Sequence, residues 1–214
     1  MKFRAFGFVL ILLAFFPQPT QAAEVTSQAI ATAPGVNIDT SLFLPQKLPA
    51  PAILLAHGFG GSKDSVIEEA KFYQERGYVV MTWTARGFGK STGQITMNST
   101  DAEISDIRLL IGALSKNKSV IQDGSGDPRV GIAGASYGGA AALMTAALDK
   151  RIDAVIADIT WSDMQQALFP QSALGVTEPG PFKKIWTGTF FALYLAKRLL
   201  RRVRRPRSTM VRCL

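Results

Sequence analysis

Residues 129–148 constrain the fold more tightly than any other stretch of the chain. A short, mostly apolar run from Arg129 to Ala133 reads as a strand, Gly134-Ala135-Ser136-Tyr137-Gly138 follows, and residues 139–148 read as a helix of small side chains. A strand that gives way to a helix within so few residues must turn sharply, and the residue at the apex takes a strained backbone. Glycines two residues to either side of Ser136 relieve the crowding, and the serine hydroxyl is presented above the sheet. Glycine also serves ordinary tight turns, so the flanking strand and helix carry the reading of Ser136 as a nucleophile.

Strands alternate with helices along the rest of the chain. Residues 25–33 and 36–44 flank Pro34-Gly35, a turn dipeptide, and predict an antiparallel pair. Residues 52–56 form a continuous apolar run suited to a strand buried on both faces. Ser65-Val66-Ile67-Glu68 has the spacing of a capping box, predicting a helix from there through Phe72 and Tyr73 to Gly77. Residues 78–83 read as the next strand. A second capping box, Thr100-Asp101-Ala102-Glu103, precedes Ile104, Ile107, Ile111 and Leu114 on one helical face. Residues 152–158 form another buried strand. This order predicts an α/β fold, a mostly parallel sheet with helices on both faces, with ligands at the carboxyl ends of the strands.

His57-Gly58-Phe59-Gly60-Gly61 follows the 52–56 strand. A glycine-rich loop there can aim backbone N–H groups at the oxyanion of an acyl-transfer transition state, and the candidate donors are the N–H groups of Phe59 and Tyr137. His57 precedes Ser136, against the usual order of serine, acid, histidine, and reads as a packed, hydrogen-bonded residue. It is the sole histidine. Asp158 ends a strand near the site, but a triad acid acts by orienting an imidazole, so structural capping is its expected role. Gly89-Lys90-Ser91 ends like a phosphate-binding loop, yet Thr84 stands where that motif needs glycine. No histidine or cysteine cluster suits a transition metal, and no cofactor is expected.

The stretches HGFGGSKD (57–64), ERGYVV (75–80), ARGFGKSTG (85–93), DPRVGIAGASYGGAAAL (127–143) and DAVIADITWSD (153–163) together resemble the X-prolyl dipeptidyl-peptidase and cocaine-esterase-like serine hydrolases. The resemblance covers roughly residues 36–190. It implies an α/β-hydrolase fold and two-step acyl transfer on small peptide or ester substrates, with Ser136 as nucleophile and Phe59 and Tyr137 as oxyanion donors. Members of that group carry a helical cap, an acid and a histidine after the ITWSD segment. This sequence supplies no counterpart, so a C-terminally incomplete hydrolase domain of impaired activity is expected over residues 24–182.

The two ends differ from the body. Lys2 and Arg4 precede a 12-residue apolar run at 5–16, with Thr20-Gln21-Ala22 after it, the layout of a secretory signal peptide spanning residues 1–23. Export, to the periplasm or outside the cell, is therefore expected. The single cysteine, Cys213, can form no internal disulfide. The formal charge of +8 is concentrated at the other end, where residues 183–214 hold ten Lys or Arg and no acid, leaving 14 basic against 16 acidic residues before them. One reading of this tail is a frameshift or truncation of a longer hydrolase. Another is a weak membrane-surface contact, with the mostly apolar residues 186–195 beside the arginines. Nucleic acid is not an expected partner of an exported chain. A non-catalytic binding module that keeps a hydrolase pocket is the remaining alternative.

Overall fold

The structure, a computed structural model, describes residues 24–169 and, beyond them, residues 185, 186, 188, 189, 191 and 192. The expected signal peptide and most of the basic tail lie outside the described residues. Along the chain come β1 (Glu24–Ala33), β2 (Val36–Leu44), β3 (Ala52–Ala56), α1 (Ile67–Glu75), β4 (Val79–Trp83), α2 (Glu103–Leu114), β5 (Gln122–Gly124), β6 (Asp127–Pro128), β7 (Val130–Ala135), α3 (Tyr137–Leu148), β8 (Ile152–Asp158) and α4 (Met164–Leu168).

Side-chain alternation decides which way each strand faces. In β3, Ala52, Leu54 and Ala56 join Val79 and Met81 of β4 and Ile132 of β7 on one face of the sheet, packed against Ile104, Ile107, Leu110 and Ile111 of α2 and against α3. Leu55, with Phe43, Val80 and Ala133, faces the other way, toward Ala70 of α1. The helices therefore lie on both faces, as the alternating strands and helices predict.

The main sheet has the order β1-β2-β4-β3-β7-β8. β1 and β2 form the expected antiparallel hairpin, with Gly35 at φ 73° in its turn, and β2 runs antiparallel to β4. The other four strands are parallel, Leu54 lying opposite Met81 on one side and Ile132 on the other. From β3 the chain steps outward to β4, then returns across β3 to β7. The order reverses between β3 and β7, and their carboxyl ends flank the crevice where open parallel sheets bind ligands. Beyond β7, β8 forms the edge of the sheet among the described residues, with Val155 and Ile156 exposed.

Both capping boxes are corrected by the structure. The first lies three residues earlier, on a 3-10 turn over Lys63–Val66: Ser62 Oγ accepts from the Asp64 N–H at 3.2 Å, and Ser65 Oγ accepts from the Ser62 N–H at 3.0 Å. α1 begins after that turn and ends in a Schellman arrangement, with the N–H groups of Gly77 and Tyr78 on the carbonyls of Gln74 and Tyr73 and Gly77 at φ 89°. At the start of α2, Ala102 is the N-cap and receives no side-chain cap. The Glu103 carboxylate, expected to fold back on Thr100, is instead drawn into the site described below. The short β5–β6 hairpin, turned at Gly126 with φ 78°, has no counterpart in the sequence reading.

Asp149 closes α3. Its buried carboxylate accepts from Arg151 Nη2 at 2.6 Å and Nε at 2.9 Å, and from Arg108 Nε at 3.4 Å. The Arg151 hydrogen bond holds this carboxyl below its ordinary pKa against the opposing effect of burial. A lowered folded pKa means that the stabilisation is complete above the unfolded value of about 3.9 and is lost as pH falls through the folded value. Asp149→Asn should cost about 1 to 3 kcal/mol at pH 7. It should also flatten the acid side of the stability curve, as read from urea midpoints between pH 7 and pH 3.

Candidate active site

The turn at Ser136 is built by backbone contacts that leave no room for side chains. Ser136 sits at φ 54°, ψ −117°, the sole residue between β7 and α3. Strain of this order, about 1 to 3 kcal/mol, persists only where the surroundings over-determine it. Here the Ser136 N–H donates to the Asp158 carbonyl at the end of β8 at 2.9 Å, and Thr160 Oγ1 donates to the Ser136 carbonyl at 2.8 Å. A Cβ on Gly138 would lie 2.7 Å from the Ala56 carbonyl oxygen and 2.8 Å from that of His57, and one on Gly134 would lie 2.7 Å from the backbone of Gly138. The flanking glycines let the first turn of α3 press against the end of β3.

That approach brings three sequence motifs together. The Phe59 ring, from the loop after β3, meets Phe88 at 5.2 Å and Tyr137 at 5.5 Å, and Phe88, from ARGFGKSTG, meets Tyr137 at 5.6 Å, all edge to face. Ser136 and Phe59 line one cavity of about 330 Å³. Tyr137 is the first residue of α3, where an N–H has no partner inside the helix. All three residues singled out in the sequence thus stand at the crevice between β3 and β7.

His57 is occupied elsewhere. The Ala85 N–H reaches its Nε2 at 2.9 Å, and an amide can only donate, so Nε2 accepts. The proton is then on Nδ1, which donates to the Gly58 carbonyl at 2.7 Å. The ring is buried and ties the glycine loop to the chain leaving β4. Among the described residues no side chain accepts a hydrogen bond from Ser136 Oγ. Asp158 contributes its backbone carbonyl rather than a helix cap; the cap of α4 is Asp163, whose Oδ1 accepts from the Gln166 N–H at 2.9 Å.

Sequence reasoning missed the buried polar group beneath the turn. Glu103 accepts from the Tyr137 hydroxyl at 3.2 Å, from the Thr96 N–H at 2.6 Å and from the Thr96 hydroxyl. Burial first, and the Glu103 charge second, push the Tyr137 phenol far above its ordinary pKa, so it remains a donor. Asn98, in the left-handed region at φ 62°, donates through Nδ2 to the Tyr137 carbonyl at 3.0 Å. Arg86 makes a two-pronged pair with Asp106, both bonds 2.6 Å, under the same turn. Glu103 looked like a capping residue because its spacing from Thr100 fits one. An asparagine ahead of a helix was the other available sign.

This sheet order, with a strained serine at the carboxyl end of a central parallel strand and a glycine loop beside it, defines the α/β-hydrolase fold. The chain belongs to the X-Pro dipeptidyl-peptidase (S15) family, whose family model matches residues 34–187. It is 32% identical over 132 residues to the quorum-quenching protein AidA of Acinetobacter baumannii (strain MDR-ZJ06), covering 60% of this chain and 41% of the relative. To the polyketide transferase grgF of Penicillium sp it is 30% identical over 129 residues, 59% of this chain and 42% of the relative. The crystal structure of the alpha/beta hydrolase GrgF from Penicillium sp. sh18 superposes with a TM-score of 0.59 at 24% identity, covering 71% of this chain and 50% of that one. The chain thus spans about two fifths of the length of these curated relatives.

Gly138→Ala tests the backbone approach. The atoms its methyl would strike are carbonyls of β3 and the loop after it, which cannot rotate aside. The variant should lose about 1 to 3 kcal/mol, seen as a lower urea midpoint, whereas Gly126→Asn in the outer hairpin should be near neutral.

Proposed function

We propose that this chain carries the nucleophile and oxyanion hole of a secreted serine hydrolase acting by acyl transfer on small ester or amide substrates, and that by itself it is catalytically impaired. The observation that carries this reading is the Ser136 backbone at φ 54°, ψ −117°, opening into a cavity shared with Phe59. In the reaction, Ser136 Oγ bonds to the substrate carbonyl carbon and its proton passes to a base. The N–H groups of Phe59 and Tyr137 stabilise the resulting oxyanion, and the leaving alcohol or amine departs with a proton. Water then cleaves the acyl-serine by the same route.

Impairment follows from the histidine. The sequence has one, and both its ring nitrogens hold the fold together. Loss of the triad histidine costs about a million-fold in kcat in subtilisin, and turnover by this chain should be reduced on that scale. A fluorophosphonate probe should therefore label Ser136 slowly, labelling should be absent in Ser136→Ala, and added imidazole should accelerate it. Complete labelling within minutes and without imidazole would mean that a base faces Ser136 and would overturn the impairment. No labelling even with imidazole would overturn the nucleophile itself.

Secretion rests on Lys2, Arg4, the apolar run at 5–16 and Thr20-Gln21-Ala22. Expressed in a bacterium with its full sequence, the protein should be recovered outside the cytoplasm with an amino terminus near Glu24. Recovery from the cytoplasm with Met1 intact would overturn this part.

A further inference from the structure

Ile159 has an unusual backbone for its residue type. It follows β8 at φ 44°, in the left-handed region that β-branched residues rarely enter, and it is 83% exposed. Both its neighbours are committed to Ser136, Asp158 through its carbonyl and Thr160 through its hydroxyl. The strand end is clamped on either side of Ile159, and the clamp holds an isoleucine in a strained conformation next to the serine. Such strain clusters at ligand clamps and active sites. A bare isoleucine gains nothing from water, so an apolar partner is the natural cover for it.

The surroundings have the same chemistry. Ile159 lines the 330 Å³ cavity above Ser136 with Phe59, Trp161, Met164, Leu168 and Trp186. This volume is in the range of small-molecule sites, where apolar walls supply affinity and a few polar groups supply orientation. The polar side-chain groups here are the hydroxyls of Ser136 and Thr160 and the indole N–H groups of Trp161 and Trp186, all uncharged, and no charged side chain lines the cavity among the described residues. A protonated amine entering it would lose its water without meeting a carboxylate among the described residues, which is costly.

We infer that this cavity is the acyl-group site and that it takes an uncharged apolar acyl group rather than a dipeptide with a free amino terminus. The inference rests on the reading of Ser136 as the nucleophile. Ile159 is then a specificity-determining residue, placed by its clamped backbone.

Binding can be measured without turnover, because Trp161 and Trp186 line the cavity and report through their fluorescence. The full chain is titrated with neutral methyl ketones from 2-pentanone to 2-undecanone, and with alanyl-proline amide bearing a free amino terminus. Affinity should rise about fourfold per methylene until the cavity is filled, and the dipeptide amide should bind more weakly than a ketone of similar size. Ile159→Asn suits the left-handed backbone, so the fold should persist, and the gain per methylene should fall to about twofold or less. A flat ketone series, a slope unchanged in Ile159→Asn, or tighter binding of the dipeptide amide would overturn the inference. The two readings separate cleanly. A flat series with a reactive Ser136 removes the specificity but keeps the hydrolase, whereas a steep series with an unreactive Ser136 removes the acyl role and leaves an apolar ligand site.

Discussion

The structure depends on how closely the start of α3 approaches the end of β3. Gly138 lies against the Ala56 and His57 carbonyls at a distance no side chain would allow, and Gly134 faces Gly138 just as tightly. From this contact follow the sharpness of the turn at Ser136, the position of the helix dipole over the crevice, and the adjacency of the loop holding Phe59. A longer connection between β7 and α3 would relieve the strain and would also swing the serine away from that loop.

Strain at Ser136 and Ile159 is offset by ordinary interactions placed nearby. Hydrogen bonds from the Ser136 N–H to Asp158 and from Thr160 to the Ser136 carbonyl fix the upper side of the turn. Below it, Glu103 and Asn98 hold the Tyr137 side chain and carbonyl, and the aromatic group of Phe59, Phe88 and Tyr137 fills the space between the loops. His57 belongs to this scaffold. Its neutral ring joins the loop after β3 to Ala85, so a residue type usually associated with proton transfer serves here as a strut.

Much of this was legible along the chain. The hairpin about Pro34-Gly35, the buried runs that became β3 and β4, and the helix after Ser136 follow from local periodicity and turn chemistry. β7 starts one residue later than the sequence suggested, at Val130, and continues to Ala135 beside the serine. What local patterns could not supply is long-range pairing. Glu103 has the spacing of a capping residue, yet its partners are Thr96 and a tyrosine 34 residues away. Ser65 does take part in a capping box, but with Ser62 before it rather than Glu68 after it. Trp186 falls where the sequence changes character, and only the folded chain places it on the cavity above Ser136.

The edge formed by β8 bears on how the molecule behaves in a tube. Parallel strands are normally covered on both faces, and here Val155 and Ile156 lie exposed on a strand with no outer neighbour among the described residues. Unpaired N–H and C=O groups beside apolar side chains form a template for another extended segment. Concentration therefore becomes a variable of the preparation, because dilute chains meet few such segments and crowded ones meet many. The same strand ends at Asp158, whose carbonyl holds the Ser136 N–H, so a segment added along this edge would run beside the serine that defines the site.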